Sequence, residues 1–206
     1  MTTVLIPAYA PPISYMACLL KQEKITWVQG TAYKKQTYRN RAYIYGANGR
    51  LTLTIPIVHT GQEQRQKDHQ VRTHLDSRWQ QLHWKSLEAA YRSSSFFEYY
   101  EDTLHPVYEK KNRNLFDFNK ELITTILGLM DVSIPQTASP LNPLHHKINE
   151  SLMDAKKKTI VLPSYRQVFG HKFGFISNLS ILDLLFNLGP ESLSYLKICQ
   201  HRLNSS

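Results

Sequence analysis

A chain of 206 residues and 24.0 kDa has the size of one large domain and is long enough to bury a sizeable core. Apolar residues make up 42%, with only 8 Gly, 10 Pro and 2 Cys, which excludes collagen-like, fully disordered and disulfide-stapled chains. The net charge of +9 predicts attraction to an anion: nucleic acid, a nucleotide-linked substrate or an acidic membrane surface.

The first residues, Thr3 to Ile6, are short, apolar and β-branched and read as a strand. Pro7-Ala8-Tyr9-Ala10-Pro11-Pro12 cannot continue it. A helix is expected from about Ile13, with Tyr15, Met16, Leu19 and Leu20 on one face, and Ile25 to Gln29 returns to a β pattern. The result is a β-α-β start, which favours a parallel sheet and gathers ligands at the carboxyl ends of its strands, here at Pro7 to Pro12. Asn48-Gly49, between two β-like runs, signals a hairpin. The stretch Gly61 to Asp68 has no apolar period and reads as a surface loop.

Helical spacing begins at Ser77, with Trp79, Leu82, His83, Leu87, Ala90 and Tyr91 on one face. A second helical stretch, Phe96 to Tyr108, is broken by Pro106, and a third, Asn119 to Met130, is capped by Asp117 or Asn119. Residues 131–158, with Pro135, Pro140, Pro143, the His145-His146 pair and Lys156 to Lys158, read as a loop or linker. The tail resumes order with a short apolar helix, Ser180 to Phe186, that stops at Gly189-Pro190. The fold class is therefore α/β: a β-α-β start with a mainly parallel sheet plus a hairpin, covered by helices. Residues 1–130 form the core, 131–158 the loop or linker, and 159–206 a helical segment that packs back to give a single domain.

No apolar run approaches the roughly 18 to 20 residues that span a bilayer, and the start lacks a charged leader pattern, so the chain is expected to be cytoplasmic. Cys18 and Cys199, far apart in sequence, are expected as reduced core thiols. Signatures of nucleotide loops, zinc proteases and serine hydrolases are absent, and the nine histidines do not fall at metal-binding spacings, so neither metal nor cofactor is expected.

Within Tyr33 to Arg41 aromatics and cations interleave. As a strand it would place Arg39, Arg41 and Tyr43 on one face, two guanidiniums gripping a diphosphate beside a ring, with Lys34 or Lys35 adding a point charge. A solvated, aggregation-resistant edge strand is the plainer alternative. His83, between indole rings, is the candidate proton carrier. Asp183, a carboxylate inside an apolar helix, needs a cation or several donors. It is expected to meet an arginine or lysine of residues 34–41, or N–H groups of the Pro7 to Pro12 loop.

Several stretches together resemble the WbqC-like family: Ile6 to Pro12, Tyr33 to Arg41, Asn48-Gly49 before Leu51 to Ile57, Leu82 to Tyr91, Phe96 to Tyr100 and Asn178 to Pro190. They occur in order along nearly the whole chain, and Lys-Gln-Thr-Tyr-Arg-Asn-Arg resembles members from the Bacteroidetes. The resemblance implies a setting in surface polysaccharide (O-antigen) biosynthesis. Many members carry Gln or His where this chain has Ile6, so a role for that residue would here be absent or pass to Tyr9. Residues and resemblance together suggest a group-transfer enzyme acting on a nucleotide-linked sugar or similar activated, phosphate-bearing small molecule. Tyr38, Arg39, Asn40, Arg41 and Lys35 would bind it, and His83, Tyr9 and Asp183 would act on it. The alternative is a non-catalytic basic module that binds nucleic acid or another anionic partner.

Overall fold

The computed structural model describes residues 2–58, 66–111, 114–141, 146–148, 150–155 and 160–204. Strands β1 (Thr2–Val4) and β2 (Ile25–Gln29) lie parallel, joined where Leu5 bridges Trp27. Leu5 N–H donates to the Thr26 carbonyl and Val28 N–H to the Leu5 carbonyl, each at 2.9 Å. Helix α1 (Ile13–Leu19) makes the crossover and buries Ile13, Tyr15, Met16 and Leu19. The fold is α/β, with a small parallel sheet, an antiparallel hairpin and covering helices.

The hairpin pairs β3 (Arg41–Gly46) with β4 (Gly49–Thr54). Its left-handed residue is Gly49, at φ +94°, immediately after the two turn residues Ala47 and Asn48. Glycine takes that conformation without steric cost, so the Asn-Gly pair sets the register as expected.

Residues 131–158 differ from the expected linker. They supply both edges of the parallel sheet: β5 (Gln136–Pro140) pairs with β2, and β6 (His146–Ile148) pairs with β1, giving the order β6-β1-β2-β5. Pro140 ends its strand, where a missing N–H is tolerated. His145 and Lys156 to Lys158 lie outside the described residues, as do residues 61–65 of the expected surface loop. At the end of that loop Asp68 is buried.

Three helices cover the hairpin and sheet: α2 (Trp79–Tyr91), α3 (Phe97–Glu109) and α4 (Leu115–Leu129). On α2 the buried stripe includes Trp84, and the expected Leu82 is 59% exposed, because the stripe is centred on His83, Leu87 and Ala90. Helix α3 runs through Pro106 instead of breaking there. The Asp102 carbonyl, which loses its helical partner, belongs to an exposed residue. The cap of α4 is Asn114, whose side chain accepts from Asp117 N–H at 3.1 Å, so the helix starts four residues before the expected Asn119.

After the one-turn helix α5 (Gly170–Phe173) come α6 (Ile181–Leu188) and α7 (Ser192–Asn204). Ser180 caps α6 and ties it to the first loop: its hydroxyl donates to the Ala10 carbonyl at 2.8 Å, and Ile181 N–H donates to Pro11. Gly189 ends α6 at φ +54°, and a β-carbon there would lie 2.5 Å from the Phe96 ring. Helix α7 packs against α1, with Gln200 Nε2 donating to the Ala17 carbonyl at 3.0 Å. Among the described residues no helix is long and apolar enough to cross a membrane. Cys18 and Cys199 are both free.

Candidate functional site

The Pro7 to Pro12 loop leaves β1 and folds back on the turn that carries Arg39, with Tyr9 N–H donating to the Tyr38 carbonyl at 2.8 Å. The Tyr9 side chain runs into the core. Its hydroxyl lies 2.8 Å from His83 Nδ1 and 3.3 Å from the Tyr108 hydroxyl, and its ring stacks on the imidazole at 5.6 Å between centroids. Trp79 meets the imidazole edge-on at 5.3 Å. Burial pushes the His83 pKa down to about 4, against a hydrogen bond to the Thr54 backbone that raises it. His83 is thus neutral at neutral pH. A ring N–H serves the Thr54 carbonyl, so Tyr9 donates to Nδ1. The structure brings Tyr9 and His83 together, but inside a sealed aromatic cluster where both hold the loop in place.

Tyr33 to Arg41 is not the expected strand. Lys34 to Asn40 turn, with Gln36 at φ +59° and the Thr37 hydroxyl donating to the Lys34 carbonyl at 3.0 Å, and β3 begins only at Arg41. Tyr38 N–H donates to the Met153 carbonyl, so the turn is fixed from both sides. Arg39 is 3% exposed, and its guanidinium donates to the Thr37 and Thr31 hydroxyls at 3.5 and 3.4 Å. Thr31 in turn donates to the carboxylate of Asp68, which also accepts from the N–H groups of Gly30 and His69. Burial pushes the Tyr33 hydroxyl up to about 12, against the positive charges of Arg39 and Arg41, which lower it. Arg41 Nε is buried with no hydrogen-bond partner among the described residues.

The other expected binding residues divide. Half-buried Tyr38 meets Tyr43 edge-on at 6.0 Å, and burial pushes its hydroxyl up to about 12. Asn40 is committed to the fold, its side chain donating to the Ile55 carbonyl at 2.9 Å. Lys35 is exposed on the turn.

Asn119, on α4, takes a part that the sequence reading missed. Its Nδ2 donates to the Arg39 carbonyl at 2.7 Å and the Pro7 carbonyl at 3.1 Å, clamping the arginine turn to the first loop. A polar residue four positions after Leu115 and three before Leu122, on the apolar face of a helix, was the available signal.

Asp183 does not meet a cation of residues 34–41 or the N–H groups of the first loop. It is 0% exposed, and its oxygens accept from the hydroxyls of Tyr91 (2.7 Å) and Tyr165 and from Gln167 Nε2 (2.9 Å). Burial raises its pKa against those three donors. Several donors meet the solvation need that the sequence exposed, and Ser180, not Asp183, makes the contact with the first loop. Asp183 therefore stands apart from Tyr9 and His83.

A groove of about 1040 Å3 lies between α2 and α3, with Trp84, Lys85, Glu101, His105 and Tyr108 among its lining residues. It touches the Tyr9 cluster through Tyr108 and includes none of the expected binding residues. Among the described residues no group of three His, Cys, Asp or Glu side chains is placed to hold a metal ion.

Comparison with known proteins bears out the family resemblance. The profile of the WbqC-like protein family matches residues 7–160, and the chain belongs to that family. It is also similar to the uncharacterised protein Rv1507c of Mycobacterium tuberculosis, 25% identical over 93% of this chain and 95% of the other. No solved structure matches the chain.

Proposed function

We propose that this WbqC-like protein binds a small phosphate-bearing metabolite at the Arg39–Arg41 turn, a nucleotide-linked sugar by chemical class, and transfers the group that the phosphate activates. One observation carries the reading: Arg41, two residues after the buried Arg39, keeps a buried Nε–H with no hydrogen-bond partner among the described residues. A planar fork of donors matches phosphate oxygens, and two such forks offset the charge that develops on a departing diphosphate. Half-buried Tyr38 offers a ring to a base or sugar, and Lys35 adds a charge from the exposed turn. The Tyr9–His83 pair and Asn119 hold the turn to the first loop. The family's association with surface polysaccharide supports a sugar.

A small ligand is favoured over a nucleic-acid strand because Arg39 is withdrawn to 3% exposure, whereas strand backbones are bound by exposed cations along an open face. Titration of nucleotide sugars and random oligonucleotides at low and high salt tests this. The expected result is saturable one-to-one binding of one nucleotide class, weakened at least about tenfold by Arg41→Ala with melting unchanged. Steeply salt-dependent, sequence-tolerant oligonucleotide binding would overturn it. Release of free nucleotide from the bound sugar measures the transfer step itself.

A further inference from the structure

The strand order β6-β1-β2-β5 reverses at β1: the chain leaves β1 towards β2 and β5, and β6 is added on the opposite side. In parallel sheets the loops at the carboxyl ends of such a strand pair part from one another, and ligands bind between them. Here the 34–40 turn bridges the two loops. The Tyr38 carbonyl accepts from Tyr9 N–H in the loop after β1, Tyr38 N–H donates to the Met153 carbonyl after β6, and Thr37 pairs with Asp154 beside it.

The hairpin starts at this turn. Ala42, Ile44 and Leu53 are buried in the core, so Arg41 and Tyr43 lie on the outer face, opposite Thr54 and Thr52, with Arg50 diagonal to Tyr43. Arg50 is exposed and leans back, its guanidinium carbon 4.7 Å from the centroid of the half-buried Tyr43 ring. Tyr38 meets that ring edge-on, and the Tyr43 hydroxyl reaches the Ala155 carbonyl at 3.5 Å. Tyr45, next on the same face, is fully buried, with its hydroxyl held by the Phe169 and Gly174 carbonyls, so the open face ends at Tyr43 and Arg50.

We propose that this outer face is the nucleobase platform of the phosphate site: with the diphosphate on Arg41, the base stacks on the Arg50 guanidinium, which Tyr43 supports from beneath. The proposal rests on the phosphate reading of Arg41 and adds the direction in which the ligand lies. A guanidinium plane accepts the face of any base, and one already seated on a ring loses little freedom in doing so. About 7 Å of strand separates Arg41 from Tyr43, which leaves room for a ribose between phosphate and base. Charge gives the same polarity. Arg50 and Asp154 bear on the Tyr38 hydroxyl in opposite senses, so that end of the face is balanced, whereas Arg41 has Arg39 two residues away and Lys35 on the turn. An anionic diphosphate suits the second end and an uncharged ring the first.

Calorimetric titration of the 206-residue chain with inorganic pyrophosphate and with nucleoside diphosphates tests it. The wild type should bind at least one nucleoside diphosphate at least about fivefold more tightly than pyrophosphate. Arg50→Ala, which removes an exposed side chain, should weaken that nucleoside diphosphate at least about fivefold and pyrophosphate less than about twofold, with melting unchanged. Arg50→Lys keeps the charge and loses the plane, so it should resemble Arg50→Ala. Arg41→Ala should weaken both ligands alike. Equal wild-type affinities for the two ligands, equal effects of Arg50→Ala on both, or full affinity in Arg50→Lys would overturn the platform while leaving phosphate binding at Arg41 in place. If neither ligand binds the wild type, the phosphate reading itself falls and the platform with it.

Discussion

The surroundings of Asp183 and of Arg41 are opposite solutions to placing a charged residue against the core. Asp183 accepts from three donors on two separate pieces of the chain, and its hydrogen-bonding capacity is matched by the fold itself. Arg41, at the start of β3, keeps a buried Nε–H with no hydrogen-bond partner among the described residues. A polar group that the fold satisfies completely reports on stability, whereas spare capacity, which Trp79 Nε1 and Asn119 Oδ1 also keep, points to a ligand only where charge and position suit one. Residue type alone does not separate the two, since both read as site residues in the sequence.

The sharpest break of that contrast is Asp183→Ala, which strands the Tyr91, Tyr165 and Gln167 donors at once. A loss of about 4 kcal/mol is expected in urea unfolding, with the nucleotide affinity of the folded fraction unchanged. Next comes the pH response of His83. Its pKa is about 4 in the fold against an ordinary 6.5, so between those values the unfolded chain binds the extra proton and stability rises with pH. Acidifying through that window should remove about 3 kcal/mol, and His83→Gln should abolish that part of the slope. Asp183 works in the other sense: its raised pKa favours the fold below the ordinary carboxyl range, and that contribution is lost as pH rises through the folded value.

Asn119→Ala removes two hydrogen bonds to backbone carbonyls and should cost about 2 kcal/mol while also weakening nucleotide binding, because it frees the arginine turn. The smallest effect on stability, within about 0.5 kcal/mol, belongs to Arg41→Ala, whose main loss should be affinity. A large drop in melting temperature for Arg41→Ala would place it with Asp183 as a structural residue.

Much of this was legible where a local rule dominates. Asn48-Gly49 between two β-like runs marked the hairpin because its turn needs the positive φ that glycine supplies, and the alternation of strand, loop and helix up to Gln29 pointed to the parallel start. The need of Asp183 for partners was also readable from its apolar neighbours. Which partners was not, because Tyr91, Tyr165 and Gln167 come from distant segments. Tyr33 to Arg41 misled because interleaved aromatics and cations resemble a strand, while backbone bonds from Tyr9 and to Met153 fix it as a turn. Gln136 to Pro140 was missed because Gln-Thr-Ala-Ser-Pro has little β character of its own, and pairing with β2 imposes the conformation.

The pairing of Ile25 with Gln136 and of Val4 with Ile148 also bears on how the molecule is made. Both flanks of the central strand pair are added by a segment synthesised long after it, so the sheet closes through a large loop and contact order is high. During synthesis β1 and β2 wait with both outer edges unpaired, the condition under which nascent chains associate wrongly. A fragment ending at residue 130 retains those bare edges permanently. It should therefore depend on chaperones or aggregate where the longer chain, once past Ile148, does not.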